Sequence, residues 1–157
     1  EQLSLETIDS DIHTTKDGKY AMNTFICKHK ILGGNLIQRD IQNIEQKIIS
    51  AISSENFKAT AKSKAAHKKV FEYPTRVNIS PLKKKDASLI TIETLDQPNL
   101  LSKVANIFLE HGISIDSARI STLGEKVEDN FTVIDEKTRL CISQNKTNQL
   151  KKKLMNL

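Results

Sequence analysis

The residues best placed for chemistry in this 157-residue sequence form a short corner, Asp96-Gln97-Pro98-Asn99, between an alternating segment and an amphipathic one. The first turn of a helix exposes unpaired main-chain N–H groups with partial positive charge, so a strand that turns here into a helix can hold a carboxylate or another small anion. Asp96 could instead cap the helix with its own side chain. The residues alone therefore indicate either an anion site or a simple helix start.

Residues for catalysis or metal binding are sparse. No pair of aspartates follows a Gly-Ser in the manner of a nucleotidyltransferase, and no His-Asp cluster typical of a metal-dependent hydrolase is present. We therefore expect this chain to be catalytically silent and to hold no metal or cofactor. The four histidines are scattered: His13, His29, His67 and His111.

Composition narrows the class of protein further. The net charge of +5 comes from lysine clusters, but aromatic residues make up only 4% and there is no Trp, which disfavours a surface that stacks nucleic-acid bases. No apolar run approaches the roughly 20 residues that span a bilayer. Cys27 and Cys141 lie far apart at apolar positions and are expected to be buried, reduced thiols. These features are typical of a cytoplasmic protein without a nucleic-acid or membrane partner.

The corner needs a strand before it and a helix after it. Ser88 to Thr94 alternates between two sides with the period of a strand covered on one face. A proline suits the first helical position, so the helix is predicted to begin near Pro98, and Gly112 is its natural end. An apolar stripe supports the helix: Leu101, Val104, Ala105 and Phe108.

The sequence after Gly112 predicts two strands and a helix. Ile113 to Thr122 has an apolar phase that slips between Ile115 and Ala118, which indicates a β-bulge. A turn at residues 123–125 leads into a returning strand, Val127 to Asp135. Ser143 to Leu157 then reads as a helix with leucines along one side.

The sequence before the corner predicts a hairpin, a helix and one more strand. Residues 3–28 form the hairpin, since Asp17-Gly18 between two extended runs predicts a type I′ turn. Asp40 is expected to cap an isoleucine-striped helix. A polar linker is predicted at 57–74, followed by a strand at 75–80 that pairs with the strand beginning at Ser88.

Two segments repeat each other. Ile12-His13-Thr14, leading through a turn to Asn23-Thr24-Phe25, mirrors Ile120-Ser121-Thr122, leading to Asp129-Asn130-Phe131, and each segment then runs into a helix. The second copy reads as βαββα. The first copy lacks the leading strand and helix, which predicts that the chain begins within a repeat.

The motifs DQPNLL, GISIDSARIST and GEKVEDNF resemble an ACT domain. Together with TTKDGKYAMNTFIC in the first copy, they resemble the tandem C-terminal ACT domains of the bifunctional uridylyltransferase/uridylyl-removing family, which modifies the PII nitrogen signal protein. The resemblance implies an α+β fold of ferredoxin-like βαββαβ units. The expected division is a half unit at 1–56, the linker at 57–74 and a full unit at 75–157, completed by the strand at 75–80.

The resemblance also implies a function and a site. It implies a regulatory module that senses glutamine, joined to upstream catalytic domains that would use magnesium, acting indirectly on PII and forming a homo-oligomer. A module for assembly alone, without a ligand, is the alternative. Carried over from the family, the ligand-binding positions are Asp96, Pro98, Asn99, Leu100 and Leu101, which meet the second strand of a neighbouring ACT unit. The positions of that facing strand are Ile113, Ser114, Ile115 and Asp116. Asn99 stands where the family pattern has glycine.

Overall fold

A computed structural model describes residues 3–15, 17–32, 36–54, 73–82 and 84–157. In these ranges the chain forms three helices and one six-stranded antiparallel sheet, which confirms the α+β class. The predicted linker at 57–74 lies mostly outside the described residues. The elements are β1 (Leu5–Thr14), β2 (Ala21–His29), α1 (Gln38–Ile52), β3 (Arg76–Leu82), β4 (Ala87–Leu95), α2 (Leu100–Glu110), β5 (Ile113–Leu123), β6 (Lys126–Asp135) and α3 (Gln144–Leu154).

The strands are arranged in the order β2-β1-β5-β6-β4-β3. The predicted strand at 75–80 overlaps β3, which begins one residue later, at Arg76, and pairs with β4 as a hairpin. Helix α2 contacts β5 and α3, and α3 contacts β3, so the two helices cover one face of the sheet. The core lies between that face and the helices, and its most deeply buried apolar side chains are Ile90, Ile92, Val104, Phe108, Val133, Leu150 and Leu154.

The first half of the chain joins the same sheet through β1, which pairs with β5. The register of this pairing is symmetric: Ile12 lies opposite Ala118, and Ser10 lies opposite Ile120. Since Ile12 and Ile120 are matching positions in the sequence repeat, the two copies are related by a local twofold axis through the pair Asp11 and Arg119. Strand β1 of the first copy therefore covers the β5 edge of the second copy.

The two bulges also match between the copies. The predicted phase slip in β5 is confirmed, because the register with β6 shifts between Ile115 and Ser117 and leaves Asp116 as the extra residue. A second shift, between Thr7 and Asp9, makes Ile8 the extra residue of β1. Each strand of the central pair thus bends at the same point of the repeat.

The β1–β2 hairpin is present, but its turn differs from the predicted type I′. Gly18 has a positive φ of 69°. The Gly18 N–H donates to the Thr15 carbonyl at 2.8 Å, and the Asp17 carboxylate accepts from the Thr15 hydroxyl and from the Lys19 N–H. The result is a longer loop held by these bonds, in which Gly18 takes the left-handed conformation.

Two helix starts were misplaced, that of α2 by two residues and that of α1 by three. Helix α2 begins at Leu100 rather than near Pro98, because Asn99 takes the left-handed conformation that separates the turn from the helix. Helix α1 begins at Gln38, ahead of the predicted cap Asp40, whose carboxylate instead accepts from the Ile37 N–H at 3.2 Å. The predicted end of α2 is correct, since Gly112 follows the helix with a φ of 58°.

The expectation that both cysteines are buried was wrong. Cys27 and Cys141 are both exposed and free. Cys27 lies on β2, the outermost strand of the sheet, whose side chains are exposed on both faces apart from the half-buried His29. Cys141 lies between β6 and α3 rather than in a strand. An alternating pattern identified the strand around Cys27 but could not show that both of its faces are exposed.

Candidate functional site

The strand-to-helix corner, residues Asp96–Asn99, is held in place by main-chain bonds. The Asp96 N–H donates to the Glu125 carbonyl at 2.8 Å, which ties the corner to the turn between β5 and β6. The Leu100 N–H donates to the Gln97 carbonyl at 3.2 Å and closes the turn. The side chain of Lys103 donates to Gln97 Oε1 at 3.2 Å. These hydrogen bonds therefore fix the conformation of the corner at one end of the sheet.

Asn99 sets the geometry of the helix start. Its φ of 67° and ψ of 18° are left-handed, a conformation that asparagine tolerates better than most residues. The turn thus keeps its shape with asparagine where the family pattern has glycine. The Asn99 side chain does not cap the helix. The first-turn N–H groups of Leu101 and Ser102 have no carbonyl earlier in the helix to bond, so this end of α2 can bind an anion.

The structure places the two predicted groups of site residues at opposite ends of the sheet. Leu95, just before the corner, lies opposite Lys126 on β6. Ile113 lies opposite Asp135, at the far end of the same strand. Helix α2 runs between these two ends. The corner residues Asp96, Pro98, Asn99, Leu100 and Leu101 are therefore together, whereas Ile113, Ser114, Ile115 and Asp116 do not face them within this chain. That either group binds a ligand stays a prediction.

The segment that lies at the corner's end of the sheet comes from the first copy. Asp9 of β1 pairs with Ser121, so the residues before it, Leu5 to Ile8, extend toward the end of β5 and toward the corner. By the repeat, Leu5 to Ile8 corresponds to Ile113 to Asp116, with Ile8 and Asp116 as the matching bulges. The local twofold axis thus brings the matching segment of the first copy to the corner's end of the sheet.

The bulge of β5 has a contact of its own with the first copy. The Thr14 hydroxyl donates to the Ile115 carbonyl at 2.8 Å. Main-chain groups at a bulge lose ladder partners, and this side chain supplies one. This hydrogen bond holds the end of β1 against the bulge of β5 and helps to stabilise the pairing of the two copies.

Asp129 is the polar residue that the sequence reasoning missed. It lies in β6 with 0% of its surface exposed, and neither carboxylate oxygen has a hydrogen-bond partner among the described residues. Burial raises the pKa of Asp129 to about 7; the nearby main chain of Ser121 opposes the shift, and the charge of Asp96 adds to it. An available signal was its place in the alternating series Val127, Asp129, Phe131, where an acid occupies an apolar face.

A second buried carboxylate has a structural task. Asp135, at the end of β6, accepts from Lys146 Nζ at 2.6 Å and from the N–H groups of Lys137 and Thr138. The bond from Lys146 and these N–H donors lower the pKa of Asp135 to about 2. The carboxylate joins α3 to the sheet and shapes the turn after β6.

Neither a metal centre nor a membrane span emerges from the described part of the chain. It contains no group of three or more His, Cys, Asp or Glu side chains that could hold a metal ion. None of its helices is both long and apolar enough to cross a bilayer. The features that remain are the strand-to-helix corner, the segment Leu5–Ile8 at the same end of the sheet, and the buried Asp129 of β6.

Comparison with known proteins gives one family and a consistent set of relatives. The ACT domain family matches residues 88–140. The bifunctional uridylyltransferase/uridylyl-removing enzyme of Psychrobacter arcticus is 32% identical over 163 aligned positions, which cover 99% of this chain and 17% of that protein. The enzymes of the same name from Nitrosospira multiformis and Vibrio campbellii are 33% and 30% identical over 83% and 94% of this chain, and 15% and 17% of those proteins.

The chain thus spans about 17% of the length of the first curated relative. Relatives of one name align with nearly the whole chain, including the first copy, which the family match at 88–140 does not reach. No solved structure matches the chain.

Proposed function

Residues 88–140 belong to the ACT domain family, and on that premise we propose that the chain is the amino-acid-sensing regulatory module of a bifunctional uridylyltransferase/uridylyl-removing enzyme, with L-glutamine as its effector. The observation that carries the proposal is the junction of the two copies. The helix corner at Asp96–Leu101 and the bulged segment Leu5–Ile8 lie at the same end of one continuous sheet. Such a junction offers a ligand contacts from both copies.

The chemistry of the corner suits a free amino acid. The N–H groups of Leu101 and Ser102 and the positive end of the α2 dipole favour the ligand's carboxylate. A carboxylate or main-chain carbonyl close by would accept from its ammonium group. The corner itself supplies Asp96 for this role, and Asp129 lies within its electrostatic range. The site needs no metal to hold a zwitterion.

The effector would act on chemistry carried out elsewhere in the same polypeptide. In this proposal, domains outside the chain, using magnesium, attach UMP to PII and remove it, and glutamine sets the balance between the two reactions in the cytoplasm. Binding can shift that balance only if glutamine binds more tightly to one state of the enzyme than to the other. The module therefore has to bind glutamine with different affinities in the two states of the enzyme.

The direct test is isothermal titration of L-glutamine into the full chain, with L-glutamate as the control ligand. The two differ by one side-chain amide, so selective heat from glutamine supports the sensor. Sedimentation of the same samples reports the oligomeric state. No heat from either amino acid would contradict the proposal.

The second candidate is a module that only assembles. Helix α1 has no buried residue, and apolar side chains on β2 and α1 are left exposed. Exposed apolar surface of this kind is typical of interaction sites. A stable homo-oligomer by sedimentation, with no heat from either amino acid, would favour assembly over sensing. The exposed side chains are Met22, Phe25, Ile26, Ile41, Ile48 and Ile49.

A further inference from the structure

Strand β2 forms an open edge of the sheet. Among the described residues β1 is its one neighbouring strand, so the main-chain groups on its other side have no strand to bond. Eight of its nine residues are exposed, and the exposed fractions of Met22, Phe25 and Ile26 are 69%, 51% and 56%. Such an edge, with apolar side chains on both faces, is a template for pairing with another strand.

The opposite edge of the sheet is protected, whereas β2 is not. Strand β3 contains Pro81, which has no N–H to donate, and the charged Arg76. Proline and charged side chains are usual devices that stop an edge strand from pairing. Strand β2 contains no proline and no acidic residue, and its lysine, Lys28, lies near its end. A β2–β3 contact between molecules would also repeat without closure, whereas a β2–β2 contact closes after two copies.

The register with β1 shows which residues of β2 present main-chain groups to the open edge. The Thr15 N–H donates to the Tyr20 carbonyl at 2.9 Å, and the Lys30 N–H donates to the Ser4 carbonyl at 2.8 Å. In an antiparallel ladder every second residue bonds its neighbour, and the residues between them point away. Counted from both ends, the residues that point to the open edge are Ala21, Asn23, Phe25, Cys27 and His29.

The edge is complementary to itself about Phe25. Phe25 is the middle residue of Ala21–His29 and is one of the five that point outward. An antiparallel pair of β2 strands centred on Phe25 therefore uses all five outward-pointing residues in both copies. Asn23 then lies opposite Cys27 of the partner subunit.

The side chains also suit this register. The two copies of Phe25 meet on the axis, on the same face of the sheet, where aromatic rings stabilise each other. Lys28 lies opposite Met22 of the partner subunit, so no two like charges are placed opposite each other within the strand. The pairing thus adds main-chain bonds and apolar contacts without charge repulsion.

Helix α1 supplies the rest of such an interface. It follows β2 as α3 follows β6, and α3 contacts β3, which lies beyond β6 in the sheet. Beyond β2 the described residues provide no strand, and α1 has no buried residue. In a pair, the partner's β2 takes that place and gives α1 a surface to cover. A nine-residue strand and a 15-residue helix are together the size of one side of a standard interface, roughly 20–30 residues.

We propose that two copies of this chain pair through β2, antiparallel and centred on Phe25, and form a closed dimer with one continuous sheet of twelve strands, six from each copy. The two repeats within one chain already join in the same manner, since β1 and β5 pair about a local twofold axis. The corner Asp96–Asn99 follows β4, which three strands separate from β2, so the dimer leaves the corner free. The dimer goes beyond the sensor proposal and does not depend on glutamine.

The experiment is sedimentation equilibrium of the full chain, without ligand, over a series of concentrations. We expect the mass of wild type to rise from that of one 17.7-kDa chain to that of two, and no further. A monomer at every concentration would show that the edge does not take a second copy. A mass that continues to rise would show open-ended association. Either result overturns the proposal.

Charges at position 25 test the axis. Phe25→Lys places two ammonium groups opposite each other, Phe25→Asp places two carboxylates there, and both lose the aromatic pair. We expect each variant to dimerise at least about 10-fold more weakly than wild type. An equimolar mixture should restore a dimer, because lysine then faces aspartate across the axis, and native mass spectrometry identifies it as the heterodimer. A position off the axis faces a different residue and cannot give this rescue.

Leu109→Lys is the matched control, since Leu109 is 76% exposed on α2, and it should dimerise as wild type. Phe25 is half exposed, so its replacement leaves the core closed, and circular dichroism checks that each variant is folded. Dimers of wild-type strength from both variants at position 25, equal weakening by Leu109→Lys, or a mixture without heterodimer would each overturn the pairing. Glutamine binding is measured separately, so the failure of the sensor proposal and the failure of the dimer are distinguishable.

Discussion

Asn99 is the residue on which the shape of the corner depends. A left-handed φ of 67° costs most residues about 1–2 kcal/mol, and glycine nothing. We therefore expect Asn99→Ala to lower the free energy of unfolding by about 1 kcal/mol more than Asn99→Gly, measured by urea denaturation. Both variants lose the same side-chain amide, so their difference isolates the backbone.

A control for this comparison lies in the same helix. Asn106 is exposed within α2, where alanine is the better helix former, and Asn106→Ala should leave stability unchanged or raise it slightly. If Asn99→Ala were as stable as Asn99→Gly, the left-handed turn would not be the conformation in solution.

Asp129 makes stability depend on pH in an unusual direction. Its pKa is raised from 3.8 to about 7, so between these values the native state holds a proton that the unfolded state has released. The free energy of unfolding therefore falls as pH rises through this window, by at most about 4 kcal/mol. Asp129→Asn should remove this loss and be the more stable protein at pH 8, measured by urea denaturation at pH 5 and pH 8.

Asp86→Asn, which removes an exposed carboxylate, should keep the pH dependence of the parent chain. If the difference in unfolding free energy between the parent chain and Asp129→Asn were the same at pH 5 and at pH 8, the buried acid would have to be paired or hydrated. A side chain whose neutral counterpart is more stable is expected at functional sites, where stability and activity compete.

At the scale of elements, helix α3 is attached to the sheet by one partly buried ion pair. Lys146 Nζ lies 2.6 Å from Asp135 Oδ2, with exposed side-chain fractions of 26% and 12%. Since the pKa of Asp135 is lowered to about 2, the contribution is complete above about pH 4 and is lost as pH falls toward 2. Lys146→Met should cost about 1–2 kcal/mol of unfolding free energy at pH 7 and almost nothing near pH 2.

Lys151→Met is the matched control for this ion pair, because Lys151 is exposed on the same helix and should contribute little. Chemical denaturation at pH 7 and near pH 2 measures both variants. Equal losses from the two lysines, or a loss at Lys146 that persists at the lower pH, would contradict the attachment.

The elements themselves could be predicted from the sequence, whereas their ends and partners could not. Alternation identified every described strand, and the phase slip identified the bulge at Asp116, because period and burial are local properties. The start of α2 was misplaced, since the left-handed Asn99 competes with the preference of Pro98 for a first helical position. The burial of Cys27 was misjudged because exposure depends on what packs against β2.

The candidate site also has a part that could be predicted from the sequence and a part that could not. The corner Asp96–Leu101 was identifiable from its residues because a strand, a turn and a helix follow one another in the chain. The resemblance assigns the facing strand to a neighbouring unit; within this chain the segment at the corner's end of the sheet is Leu5–Ile8 of the first copy, whereas Ile113–Asp116 lies at the opposite end. Asp129 was overlooked because the sequence shows one acid in an apolar series but not whether its carboxylate is buried or has hydrogen-bond partners.

At the scale of the whole molecule, the local twofold axis determines which segments lie close enough for a ligand between the two copies to contact. If glutamine binds between the copies, amide hydrogen exchange should slow at the corner and first turn of α2 and also at Leu5–Ile8 in the first copy. Ile113–Asp116, at the opposite end of the sheet, should exchange as before and serves as the internal control. Mass spectrometry with and without L-glutamine measures all three segments in one experiment.

The pattern of protection distinguishes the possible architectures of the site. Protection at the corner and at Leu5–Ile8 together requires a ligand that contacts both copies, because no single strand connects the two segments. Protection confined to the corner would place the ligand within the second copy and leave the first copy a purely structural cover for the β5 edge. Protection at Ile113–Asp116 would instead require a corner from another molecule at that end of the sheet, and the binding-competent state would then be an oligomer.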